Sequence, residues 1–339
     1  MQLTSTFHFL PGFRPDASEL TDTSPDPTPP ARLDSRHKAS IDALLDKVTD
    51  KSRERLYQIL QVFPAGVLEN LKDHGLTFEI TAGAAAQGIT PNGQAVLGGY
   101  DPMQRKIIFS EAVLMTRTGR HVAIHETVHA IDHMRAERKG YKDKLPVLAS
   151  TRDQDLAKLY AGYLARGAVE TITQIRYALK EEHGGELPGH ATLEGGDNWG
   201  AMAVEYTRED GKETFRIEQQ PKLEASPIEQ MMGMPEAPDR VARQLPRTEV
   251  EVPLHKGGKA RVVQEGTIST ITVSEGAVSY TGDVWSEYAL RSGMVEEYTA
   301  EAFSFYLEKG NVHDEMEMCD PDMTAYTQKI LDEEFNLRP

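Results

Sequence analysis

Hydrophobic residues recur at helical spacing as soon as the chain passes Lys38. In HKASIDALLDKVTDKSRERLYQILQVF, Ile41, Leu44, Leu45 and Val48 share one side, and Leu56, Ile59 and Leu60 continue the pattern. The next segment, AGVLENLKDHG, predicts a further helix with Gly75 as its C-cap. LTFEIT then alternates apolar and polar positions like a strand. AVLGGY and RKIIFSE predict two more strands, joined through the turn-rich DPMQ. A segment of helical period, residues 121–134, follows at once, and TRDQDLAKLYAGYLARGAVETITQIRYALKEEH predicts one long helix behind it.

From residue 184 the pattern changes. GGELPGHATLEGGDN reads as a Gly-rich loop. AMAVEYTR, ETFRIEQ, TEVEVPL, ARVVQEG and TISTITVSEGAVSYTG read as short strands. Between them, ASPIEQMMGMPEAPDRVARQLPR is punctuated by proline and rich in methionine, the signature of a loop or flap. Two helices close the chain: MVEEYTAEAFSFYLEK, stopped by Gly310, and DPDMTAYTQKILDEEFN. At the other end, residues 14–36 are dominated by Pro, Ser, Thr and Asp, a composition that buries too little apolar surface to offset its ordering entropy. The expected organisation is a disordered leader over residues 1–37 and a helical part with the first half of an α+β domain over 38–180. A partly β insertion with loops follows over 181–284, and closing helices occupy 285–339.

Charge narrows the choice of partners. Against 37 Lys and Arg stand 53 Asp and Glu, a formal net charge of −16. Phosphate backbones are bound by clustered cations, so nucleic acid is not the expected partner. The lone cysteine, Cys319, can form neither an internal disulfide nor a thiolate metal cluster. No apolar run reaches the 18 or so residues of a membrane span. The first residues, MQLTSTFHFLPGFRPD, lack an early basic residue, and Pro11 interrupts their apolar run. The expected location is therefore the cytoplasm, or outside the cell by a route without a cleaved signal.

Candidate chemistry concentrates in HVAIHETVHAIDHM, which places His121, His125, His129 and His133 four residues apart. On a helix such residues stack on nearly one face, and two neighbours can hold one metal. Three cannot, because His125 and His133 stand roughly 12 Å apart along the axis. Only the pair His125 and His129 has a carboxylate directly after its first member, giving H-E-x-x-H with Glu126. Glu126 lies about 100° round the helix from His125, beside a shared ion, where it can take a proton from water. A tetrahedral zinc then needs one more protein ligand and a water. Glu297 and Glu301, in VEEYTAEAFSFYLE, are four apart on one helix face. One can bind the ion while the other accepts the free ring N–H of a ligand histidine. His183, His190 and Asp132 are further candidates. The two histidines fall in the Gly-rich loop, and Asp132 is placed for a supporting or helix-packing role.

HETVHAID and the later EEYTAEAF together resemble the catalytic domain of the anthrax lethal factor type, a group of zincin endopeptidases that includes the clostridial Pro-Pro endopeptidases. The resemblance rests on two short motifs. It implies a zincin-like α+β domain with an active-site helix and a small substrate-binding sheet. It implies His125, His129 and Glu297 as zinc ligands, Glu126 as the base and Glu301 as the partner of a ligand histidine. Tyr288 takes the place of a tyrosine that stabilises the oxyanion, at a slightly longer spacing than in the group, while Tyr298 is a packing residue. The stretch between His129 and Glu297 is far longer than in that group. The expected activity is zinc-dependent hydrolysis of peptide bonds in protein substrates, in an effector or toxin. A cytosolic housekeeping zinc peptidase and a non-catalytic zinc-bearing binding module are the alternatives. RKIIFSE is the strand expected to pair with an extended substrate.

Overall fold

A computed structural model describes residues 35–48, 50–81, 98–143, 146–193, 202–219, 245, 247–255, 258–266, 268–277, 284–292 and 294–335. The expected leader up to Asp34, and the expected flap at 225–247 except Leu245 and Arg247, lie outside the described residues. The fold is mixed α+β, as the sequence pattern predicts, and forms two compact units. Met1–Ser150, Thr299–Asp314 and Thr324–Pro339 make the first, and Thr151–Tyr298 with Glu315–Met323 the second. Among the described residues, no helix is long and apolar enough to cross a membrane.

The first unit opens with α1 (Ser35–Leu44), α2 (Asp50–Leu60) and α3 (Ala65–His74). The stretch expected as one helical pattern is thus two helices, with Leu45–Lys47 turning between them. Gly75 ends α3 in the left-handed conformation, φ 86°, and its N–H returns to the carbonyls of Leu71 and Lys72. Three strands follow: β1 (Thr77–Thr81), β2 (Gly98–Asp101) and β3 (Lys106–Ser110). Their order is β1-β3-β2, with β1 parallel and β2 antiparallel to β3. The β2–β3 turn is closed by Asp101, whose carboxylate accepts from the backbone N–H of Met103 (2.9 Å) and Gln104 (3.1 Å). This order corrects one expectation. RKIIFSE is the central strand, paired on both sides, so it has no edge to offer a substrate. The edges belong to β1 and β2.

A short α4 (Glu111–Leu114) leads into α5 (Arg117–Arg138), which carries the histidine ladder. Thr116 caps α5, its hydroxyl accepting from the Gly119 N–H at 2.9 Å. Gly119 is needed for close approach: a Cβ there would sit 1.9 Å from the Val113 carbonyl oxygen. Gly119→Ala is therefore expected to destabilise the protein by ~1–3 kcal/mol through overpacking against backbone. Urea denaturation measures it, and an unmoved midpoint would show that the α4–α5 corner can yield. The apolar residues of α5, including Ile124, Val128, Ile131 and Met134, enter one core with Leu45, Leu56, Phe63, Phe78 and Phe109. Ala300, Phe303 and Leu307 join the same core. They lie on α8 (Val295–Glu308), counted after α6 (Gln154–Glu182) and α7 (Glu287–Ser292).

The second unit is a six-stranded antiparallel sheet in the order β4-β5-β6-β9-β8-β7. The strands are β4 (His190–Leu193), β5 (Met202–Glu209), β6 (Lys212–Gln219), β7 (Thr248–Pro253), β8 (Lys259–Glu265) and β9 (Ile268–Ser274). One face carries Val204, Tyr206, Phe215, Ile217, Val262 and Ile271, and α6 covers it with Ala165, Ala168, Val169, Ile172, Ile175 and Leu179. A half-apolar antiparallel sheet must bury that face, and the helical stripe of α6 does so. The division between units consequently falls at Ser150, ahead of the long helix and not at its end near residue 180. Two helices complete the chain, α9 (Asn311–Cys319) and α10 (Pro321–Phe335), the first of them not foreseen from the sequence.

Candidate metal centre

The division between units passes inside α8, between Tyr298 and Thr299. An α-helix is a rigid element, so the unbroken backbone of α8 carries its first turn, with Glu297, at a set position relative to Glu301 and Glu308. These three glutamates sit at i, i+4 and i+11, within about 40° of one helix face. On α5, His121, His125 and His129 repeat every four residues, a rise of about 6 Å per rung, whereas the glutamates are spaced by about 6 Å and then about 10.5 Å.

The rungs meet in antiparallel order. His121 Nδ1 lies 3.1 Å from Glu308 Oε1, and its Nε2 lies 2.9 Å from Glu301 Oε1. His125 Nδ1 stands 3.0 Å from the same Glu301 oxygen. The Nε2 atoms of His125 and His129 face each other at 3.1 Å. His125 and His129 are buried, and so is Glu297, one turn before Glu301 on α8. Glu126 is buried beside them, 1% exposed.

The donor set suits a zinc ion. Two nitrogens bonded to one tetrahedral zinc at about 2.1 Å stand about 3.4 Å apart, close to the spacing of the two Nε2 atoms. Glu301 accepts the Nδ1–H of His125, which leaves the Nε2 lone pair directed toward His129. Electrostatics supports that arrangement. Burial pushes Glu301 toward protonation, yet His121 and His125 hold its carboxyl well below the usual range. Burial likewise depresses His121, and the carboxylates of Glu301 and Glu308 outweigh it, holding the ring well above the ordinary imidazole value.

No family model, curated protein or solved structure matches the chain.

The remaining candidates separate from this cluster. The fourth rung, His133, takes part in packing: its Nδ1 lies 2.8 Å from the Tyr100 hydroxyl, and its ring meets His74 edge-on with centroids 5.3 Å apart. Asp132 is a helix-packing group. Its carboxylate accepts from the Ser150 N–H at 3.1 Å, from the Ser150 hydroxyl and from Arg135 at 3.2 Å. Among the described residues, no hydrogen bond joins Asp132 to His129. His183 is the exposed C-cap of α6. His190 opens strand β4 instead of lying in a loop, also exposed. Tyr288 lies on α7, and its side chain is outside the described residues. Tyr298 packs, as expected. It stacks on Tyr160 with centroids 5.0 Å apart, and its hydroxyl donates to Asp320 at 2.7 Å. This contact anchors the first turn of α8. The local sequence pairs His121 with no residue and does not set Glu308 apart from the other glutamates. The i, i+4, i+11 spacing of Glu297, Glu301 and Glu308 was the available signal.

Proposed function

We propose that the chain is a zinc-dependent metallopeptidase of zincin-like architecture, hydrolysing peptide bonds in protein or peptide substrates. The observation that carries this reading is the pairing of His125 and His129, whose Nε2 atoms face each other at 3.1 Å next to the buried Glu126, with Glu301 on the Nδ1 of His125; Glu297, one turn before Glu301 on α8, is the proposed third ligand. Each of the three residues offers a donor that zinc accepts in neutral-imidazole or carboxylate form. Three protein ligands would leave the fourth position of a tetrahedral ion for water. A structural zinc takes four protein ligands, so three favour catalysis over a purely structural role.

When bound, zinc lowers the pKa of a water and polarises a carbonyl. The chain's own residues do the rest. Glu126 accepts a proton from the attacking water and returns it to the leaving amine. Glu301 holds His125 in the tautomer that presents Nε2. Tyr288 is proposed to donate to the oxyanion. With β3 enclosed, β2 is the strand position for an extended substrate. It lies against α5, where a Cβ on Gly98 would stand 3.0 Å from Val122 Cγ1.

The direct test is metal analysis of the purified chain. About one zinc per chain is expected, and its loss in His129→Ala. Wild-type protein that binds no zinc after addition of the ion and removal of excess would refute the reading.

A further inference from the structure

We infer that His121 is a positioning residue of the proposed zinc site, clamping Glu301 against the ring N–H of His125 and held in turn by Glu308. Both nitrogens of His121 face carboxylate oxygens, Nε2 at 2.9 Å from Glu301 and Nδ1 at 3.1 Å from Glu308. An imidazole makes both contacts as hydrogen bonds only when both nitrogens carry protons. The clamp is therefore a cation between two carboxylates. Its ring is fixed edge-on against Phe305, centroids 5.6 Å apart and planes at 89°.

The burial of Glu301 gives the clamp its purpose. Its side chain is 7% exposed, and a buried carboxylate is costly unless it is paired and hydrogen-bonded. The His125 N–H alone brings a dipole and no countercharge. His121 brings the charge, and it delivers it to the same oxygen, Oε1, that His125 uses. Without that clamp Glu301 is free to swing away from His125 toward water. That movement removes the acceptor that sets the tautomer of His125, and the Nε2 lone pair facing His129 is no longer held in place. His121 itself is placed one rung away from the Nε2 pair, so its action on the ion passes through Glu301. The ligand atoms of His121, His125 and Glu301 also lie within 4.8 Å of one another, which makes a second ion the competing explanation.

Resting as it does on the hydrolase reading, this inference is tested on the full chain by titration with zinc alone against a chromophoric chelator. Stoichiometry, affinity and the thermal midpoint of the chelated protein are read together. Wild type is expected to bind one ion. His121→Ala keeps that stoichiometry and loses about 10–100-fold in affinity, the usual effect of removing a group that orients a ligand. Its metal-free midpoint falls, because buried Glu301 loses its countercharge. His121→Gln, whose amide still donates toward Glu301, recovers part of the loss. Equal affinity in His121→Ala overturns the inference while leaving the zinc site standing. Two ions in wild type and one in His121→Ala overturn it in favour of a second metal, and equal losses in the Ala and Gln variants overturn it in favour of ring packing. A wild type that binds no zinc removes the hydrolase reading itself. Should His121→Ala fail to fold, Glu308→Gln approaches the clamp from its other side, where weaker zinc binding is expected and unchanged binding overturns the clamp.

Discussion

Glu126→Gln is expected to retain zinc and to lose peptide hydrolysis by about 10²–10⁴-fold, the range that a positioned general base contributes. Gln has nearly the shape of Glu, so the packing around this 1% exposed side chain is preserved. It cannot accept a proton from water. The proposed ligands, His125, His129 and Glu297, are all untouched. Turnover of an unstructured protein substrate, measured beside the zinc content of the same preparation, separates the outcomes. Full activity in a zinc-loaded Glu126→Gln protein would sink the mechanism. Loss of both zinc and activity would place Glu126 among the ligands instead.

The second large effect concerns the far end of α5. Asp132 and Arg135 are 3% and 1% exposed and form an ion pair at 3.2 Å. Asp132 also receives the N–H and hydroxyl of Ser150, and its own carbonyl accepts the Ala149 N–H at 3.2 Å. This ties the chain that follows α5 back onto the helix. Asp132→Ala removes one partner of a buried ion pair, a loss that typically costs ~3–5 kcal/mol. Chemical denaturation should show a midpoint shift of that size, with zinc stoichiometry unchanged if the domain is refolded in excess ion. A shift under ~1 kcal/mol would mean that Arg135 finds other countercharge, contrary to the anchoring role.

Much of the local structure was readable because the responsible physics is local. Gly75 caps α3 because a residue without Cβ adopts φ 86° without strain. The ETFRIEQ and ARVVQEG segments alternate because a sheet with one buried face requires it. The H-E-x-x-H pair was legible for the same reason: four residues along a helix place two rings on one side, whatever surrounds them. Strand order was not legible. RKIIFSE, AVLGGY and LTFEIT look alike as apolar strands, and only pairing makes RKIIFSE central. Nor did periodicity reveal that α6 belongs with the second sheet, since its apolar stripe would have suited either core.

The sequence by itself determined the two ladders, histidines every fourth residue on one helix and glutamates four and seven residues apart on one face of another, because helical periodicity is a property of the chain alone. Tertiary structure decided which rungs meet. Packing of Phe303 and Leu307 into the core of α5 aligns the helices so that His121 faces Glu301 and Glu308. It likewise leaves His133 to Tyr100 and Asp132 to Ser150. Nearly two hundred residues separate the partners in sequence, His121 and Glu308 by 187. No local pattern spans such a distance, since the register of two helices is set by the burial of their apolar faces against a shared core.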